Sequence, residues 1–199
     1  MAGIHRIDAV LLTHEHRDHI AGLDDLRPFN YLQKEPIKIY SSQRVKEILE
    51  ANLVYVFGKE KYPGIPDLDI RVVGNEAFSI ADDKVMPILA THYKTDSFEL
   101  PVMGFRIGGF TYLTDIRYIT DEELAKVSGT HTLVLSTLRQ EEHYSHLSIK
   151  DALKIVERVK PQKTFFTHIS HLMGRHIEVE EKLPGFVYMA YDGLEINIG

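Results

Sequence analysis

The sequence predicts an α/β chain in which short strands build sheets and helices cover their outer faces. Three observations carry that expectation. A series of short apolar stretches, many of them β-branched, is punctuated by Gly, Pro, Asp or Asn. Between some of them lie amphipathic stripes with helix-start signals. The connections include both hairpin-short and helix-long spacings, the pattern of sheets layered with helices.

In chain order, strands are expected at Ile7–Leu12, Ile37–Tyr40, Ile70–Val73, Val85–Ala90, Phe110–Leu113, Thr132–Leu135, Thr164–Phe166, Val187–Ala190 and Leu194–Ile198. A helix is expected over Gln43–Val56, where Val45, Ile48, Leu49, Leu53 and Val56 share a stripe. Ile149–Val159 repeats the pattern with Ala152, Leu153, Ile155, Val156 and Val159, and Ser148 three residues before Asp151 resembles a capping box. Thr120 with Glu123 fits that box for a short helix at Asp121–Val127. The segment Gly58–Asp69, with two prolines and two glycines, reads as a surface loop. No repeat, low-complexity tract or linker interrupts the pattern, so residues 1–199 are expected to form a single domain.

Composition narrows the chemistry. With 44% hydrophobic and 26% charged residues, the 199-residue chain is ordinary globular material. It has no apolar run of the roughly 18 residues a spanning helix needs and no signal-peptide layout, so a soluble, cytoplasmic protein without membrane partners is expected. The absence of cysteine removes thiolate catalysis and cysteine-ligated metals, leaving histidine and carboxylate as ligands. Against 29 acidic residues stand 23 basic ones, a net charge of -6 that disfavours a grip on extended nucleic acid. Histidine is the anomaly, with 11 in the chain and several clustered.

The densest cluster follows the first expected strand: Thr13-His14-Glu15-His16-Arg17-Asp18-His19. Histidines two apart at a strand end can turn toward one ion, while Asp18 and His19, where the chain enters a helix, can serve a second nearby. Such a layout suits two metals about 3.5–4 Å apart, the arrangement that clamps attacking and leaving oxygens in a displacement. Glu15 and Arg17 fill the variable positions and either tune the substrate or face solvent, solvent-facing being the safer expectation for both.

On these residues, and on the flanking Ile7-Asp8-Ala9-Val10-Leu11-Leu12 and Ile20-Ala21-Gly22-Leu23-Asp24-Asp25-Leu26-Arg27-Pro28-Phe29, the chain resembles the metallo-β-lactamase superfamily. Its signature is His-x-His-x-Asp-His after a β-strand. Within the superfamily it looks like the phosphodiesterase branch that contains phosphoribosyl 1,2-cyclic phosphate phosphodiesterase and, more distantly, the tRNA 3′-processing ribonuclease. The resemblance implies a four-layer αββα sandwich with a dimetal site along one edge of the two sheets.

It also implies roles. His92 in Leu89-Ala90-Thr91-His92 matches the histidine that completes one ion with His14 and His16. Asp115, ending Tyr112-Leu113-Thr114-Asp115, matches the bridging aspartate, and His168 in Phe166-Thr167-His168 matches the last ligand, joining Asp18 and His19. By position in Leu138–Ser148, His146 matches a histidine facing the leaving group, and imidazole suits a general acid near neutral pH. The implied cofactors are two divalent ions, zinc first and manganese as an alternative. A hydroxide held between them would attack phosphorus, with Asp18 and His146 in the catalytic set. Two divalent ions against the carboxylates Asp18 and Asp115 leave positive charge that favours an anionic substrate.

Other residues keep two readings. His143 and Tyr144 either contact substrate or stand exposed in a polar loop, and Arg139 either meets a phosphate oxygen or makes a structural ion pair. His171 and His176 either orient ligands or contact substrate, or are structural. Asp192-Gly193 is expected to make a hairpin turn, with Asp192 near the site.

The chain departs from the family most clearly at its start, and it also lacks the N-terminal cysteines that relatives often carry. Relatives carry several strands before the first motif, whereas thirteen residues precede His14 here, which suggests a late start or a lost sheet edge that a homodimer would cover. No long tRNA-holding arm interrupts the pattern. The expected activity is therefore hydrolysis of a small diester, cyclic or nucleotide-like. The alternatives are another hydrolase of the fold, a tRNA-processing ribonuclease or thioesterase, and a catalytically idle, metal-stabilised interaction module.

Overall fold

The computed structural model describes residues 3–60 and 62–198. Contacts divide the chain between Asp82 and Asp83 into two compact units. Among the described residues no helix is long and apolar enough to cross a membrane.

The first unit runs β1 (Val10–Leu11), α1 (Arg17–Ile20), a 3-10 turn (Ala21–Leu26), α2 (Arg27–Gln33), β2 (Ile37–Ser41), α3 (Gln43–Asn52), α4 (Val54–Phe57), β3 (Leu68–Val72) and β4 (Phe78–Ile80). Strands β1, β2 and β3 form a parallel sheet in that order, with Val10 opposite Ile39 and Ile39 opposite Ile70. Parallel neighbours need a crossover, and α1–α2 and then α3–α4 provide it in the chain. Ile37, Ile39, Val45, Leu49 and Val56 build this unit's core, each such side chain contributing about 1.5–3 kcal/mol by burial.

The expected helix Gln43–Val56 is two helices. Ser42 caps its start by accepting the Val45 N–H (3.3 Å), but Leu53 leaves helical dihedrals (φ -106°, ψ 53°) before the chain turns again. The interruption lets Val56 join Leu49 in the core. Helix α2 was not anticipated, although Pro28 in its first turn is a start signal. The first expected strand, Ile7–Leu12, is only β1, and the third begins earlier, at Leu68.

The second unit contains β5 (Asp83–Lys94), β6 (Glu99–Ile107), β7 (Phe110–Leu113), α5 (Asp121–Ala125), β8 (Thr132–Ser136), α6 (Ile149–Val159), β9 (Lys163–Thr167), a 3-10 turn (His171–Met173), α7 (His176–Glu180) and β10 (Val187–Met189). Within it, β5 to β10 neighbour one another in chain order. The pairs β5/β6 and β6/β7 are antiparallel, whereas β7/β8, β8/β9 and β9/β10 are parallel, so the sheet is mixed. Leu113, Leu135 and Phe166 lie in register, and the loops after β7, β8 and β9 therefore leave the sheet at one end. Two reversals make β5 run the same way as β7, which brings its C-terminal end to that side too. The carboxyl ends of parallel strands are where α/β sheets place ligands.

Ser148 caps α6 by accepting the Asp151 N–H (3.2 Å), and Ala152, Ile155, Val156 and Val159 pack into the core. Thr120 caps α5 in the same way through the Glu123 N–H (3.2 Å). The Glu123 carboxylate also reaches beyond its helix. It accepts the Leu89 N–H (2.7 Å) and pairs with Lys126 (2.8 Å), which ties α5 to β5.

Strand β6 escapes sequence reading because Pro101 and Gly104 break its pattern. Pro101 stands opposite Thr91, next to the register shift between Thr91 and Tyr93, where the regular ladder is already interrupted. A Cβ on Gly104 would collide with the Leu113 side chain and the Tyr112 carbonyl, so glycine permits the close approach of β6 to β7. The expected strand Leu194–Ile198 does not form. Asp192 and Gly193 make a turn closed by Leu194 N–H to Tyr191 O (3.1 Å), with no strand after it.

Candidate metal centre

In the first unit, His14 to His16 occupy the bend between β1 and α1, and Asp18 and His19 lie in the first turn of α1. His14 is fully buried, and its Nδ1 meets the Thr13 hydroxyl at 3.1 Å. Its ring lies 4.5 Å from that of His16 and 4.3 Å from that of His19. His16 stands at the N-terminal boundary of α1, and its carbonyl accepts the His19 N–H (2.9 Å). His19 Nε2 lies 3.3 Å from Asp18 Oδ2. Thus the short turn from strand to helix gathers three imidazoles and a carboxylate.

Glu15 is a correction. It was expected to face solvent, yet it is turned inward and pairs with Arg44 from α3 at 2.7 Å. The ion pair clasps the ligand bend to α3. Arg17 is exposed, as anticipated.

In the second unit, four residues converge at the carboxyl ends of the strands. His92 sits at the register shift of β5, where an extra residue re-aims a side chain. Its Nδ1 lies 2.9 Å from the Ser145 carbonyl, which can only accept, so Nδ1 carries the proton and Nε2 presents a lone pair. Asp115, 1% exposed, follows β7 in the left-handed region (φ 53°), with its N–H donated to the Ser136 hydroxyl (2.8 Å). His168 follows β9 and is also left-handed (φ 58°). Such backbone conformations cost energy in residues with a Cβ and concentrate at functional sites.

Asp115 Oδ1 lies 3.2 Å from His168 Nε2 and 3.4 Å from His146 Nδ1. Asp115, His146 and His168 each offer one ligand atom, all within 4.8 Å of one another. The His146 ring is 4.7 Å from His92 and 5.3 Å from His168. Imidazole nitrogens around a buried carboxylate are the donor chemistry of a divalent transition-metal site.

His143 lies 5.2 Å from His146, ring to ring, and Ser145 donates its N–H to His143 Nδ1 at 3.3 Å. Burial first, then His146, Arg139 and Arg117, hold its pKa below the usual histidine value. Tyr144 is exposed beside it. Arg139 donates to the Glu142 carbonyl (2.7 Å), bracing its own loop. His171 is exposed on the second 3-10 turn, and His176 Nε2 donates to the Met189 carbonyl (3.0 Å). Asp192 is exposed in its turn.

Sequence reading did not find Ser136, Ser145 or Arg44, which fix Asp115, His92 and Glu15. Ser136 ends β8 beside Asp115 only because Leu113 pairs with Leu135, a register that a single sequence does not display.

Comparison with known proteins matches a β-lactamase superfamily domain to residues 1–169. A crystal structure of a diphosphatase from the PhnP family shares 32% identity at a TM-score of 0.85, covering 96% of this chain and 71% of that one. An octanoyltransferase from Porphyromonas gingivalis is 37% identical over 199 residues, 99% of this chain. The exodeoxyribonuclease WalJ from Streptococcus pneumoniae is 27% identical over 124 residues, 58% of this chain. The chain spans 39% and 38% of the lengths of these two curated relatives. With its α/β fold, its strand-end histidines and aspartates and a family match over most of its length, the chain belongs to the metallo-β-lactamase superfamily and has that superfamily's hydrolase fold.

Proposed function

We propose that the chain hydrolyses a small phosphodiester, cyclic or nucleotide-like, using two divalent ions. His14, His16 and His92 would hold one ion and Asp18, His19 and His168 the other, with Asp115 serving both. This assignment to a single centre follows the superfamily motif that the chain carries. The observation that carries the reading is the convergence of His92, Asp115, His146 and His168 at the carboxyl ends of β5, β7 and β9.

When bound, the ions supply Lewis acidity toward phosphate oxygens and acidify a water, and a set of five imidazoles and two carboxylates suits zinc first and manganese second. The protein's own groups do the rest. Ser145 orients His92 through its carbonyl, and Ser136 fixes the Asp115 turn. His146 presents Nδ1 to Asp115, so Nε2 is the ring nitrogen left to deliver a proton to the departing oxygen. Two dications outweigh the two carboxylates, which favours an anionic substrate.

Relatives named as a diphosphatase and as an exodeoxyribonuclease support chemistry at phosphorus. The relative named as an octanoyltransferase favours a second reading, cleavage of an acyl thioester. A panel of substrates separates them. Metal-loaded protein is expected to turn over bis(p-nitrophenyl) phosphate and nucleoside 2′,3′-cyclic phosphates well above background, and an octanoyl thioester far more slowly. Faster cleavage of the thioester than of either diester would overturn the phosphodiester reading.

A further inference from the structure

The loop between β8 and α6 is closed at its base by Leu138 N–H to Leu147 O (3.1 Å) and Ile149 N–H to Arg139 O (3.2 Å). Arg139 braces it from within through the Glu142 carbonyl (2.7 Å). On this pinned loop Tyr144 is 71% exposed, yet its ring is held. The His143 ring packs 4.2 Å away at 31°, and the Tyr93 ring meets it edge-on at 5.8 Å and 84°. Ser145 fixes His143 in turn, with its N–H and its hydroxyl each 3.3 Å from Nδ1. Beyond His143 lies His146, 5.2 Å ring to ring, facing Asp115.

A tyrosine left in solvent and serving only the loop needs no such bracing. A large ring already immobilised on two sides loses little rotamer freedom when a ligand covers it. The exposed part of the ring can accept an aromatic ring in offset stacking, a sequence-tolerant way of gripping a base. One histidine ring separates it from His146, a span that a single nucleotide bridges between its base and its phosphate.

We propose that Tyr144, backed by His143 and edge-on to Tyr93, is a stacking platform for an aromatic ring of the substrate. The diester therefore carries a nucleobase or aryl group on one arm, and sugar-only cyclic phosphates are poorer substrates. The inference rests on the phosphodiester reading of the same site.

The test measures KM and kcat of the metal-loaded protein, Tyr144→Ala and Tyr144→Phe on adenosine 2′,3′-cyclic phosphate and on glycerol 1,2-cyclic phosphate, which lacks a base. The unaltered protein is expected to show a KM roughly tenfold lower for the adenosine substrate, a preference that collapses toward one in Tyr144→Ala and survives in Tyr144→Phe. Equal KM values in the unaltered protein, or an unchanged preference in Tyr144→Ala, would overturn the platform while leaving the diesterase standing. Turnover of neither substrate would count against the diesterase, and binding of adenosine monophosphate then decides the platform. Weaker binding by Tyr144→Ala supports it, and equal binding removes it.

Discussion

Replacing Asp115 by asparagine is expected to lower kcat/KM for a diester by roughly 10³-fold or more, about 4 kcal/mol of transition-state stabilisation. Asparagine keeps the size of the side chain and tolerates the left-handed backbone at this position (φ 53°), so the turn held by Ser136 should survive. Alanine would add a backbone cost and confuse the comparison. What the amide removes is the negative charge that faces His146 and His168 from a buried position. Steady-state kinetics, elemental analysis and circular dichroism on the same preparation check the expectation: a folded protein with depleted metal and little turnover. Near-normal metal content and activity would mean that Asp115 serves only the turn.

His146→Ala is expected to reduce turnover by about 10²–10⁴-fold, the usual worth of a positioned general acid. The loss should depend on the leaving group. A p-nitrophenolate departs readily without a proton, so the aryl diester should suffer less than an alkyl or cyclic ribose diester, and metal content should hold. The geometry sets a clear rival, because His146 offers a ligand atom in the same cluster as Asp115 and His168. If the variant loses metal, with equal losses for both leaving groups, His146 is a ligand and the acid lies elsewhere.

The strands and helices that carry these residues were legible to different degrees. Strand β8, buried along its whole length, announces itself as a short apolar run, and the capped helix α6 as an apolar stripe of helical period behind a start signal. Strand β6 does not, since its proline and glycine answer to a bulge and to a tight approach by β7, which are properties of the paired sheet. The expected last strand failed for the converse reason. Leu194–Ile198 has the apolar composition of a strand but follows a turn that sends it into no ladder.

The site divides in the same way. His14 to His19 could be read directly, because one short bend supplies the ligands and their spacing is local. His92, Asp115 and His168 lie far apart in the chain and became candidates only through a family resemblance. The sheet explains their convergence, since parallel registers put the ends of β7 and β9 side by side and the reversals through β6 bring β5 to the same end. Polar supports such as Ser136, Ser145 and Arg44 left no sequence signal, being ordinary residues made important by what they touch. Glu15 shows the reverse error, a charged residue in a variable position that the fold nonetheless turns inward toward Arg44.

Metal stoichiometry coupled to turnover tests the central claim most directly. Purified protein, loaded with zinc or manganese and freed of loose ions, should carry about two ions per chain, as a two-metal displacement requires. Hydrolysis of bis(p-nitrophenyl) phosphate should vanish with chelator and return with metal. Fewer than about one ion per chain, or diester hydrolysis indifferent to chelation, would contradict the dinuclear account.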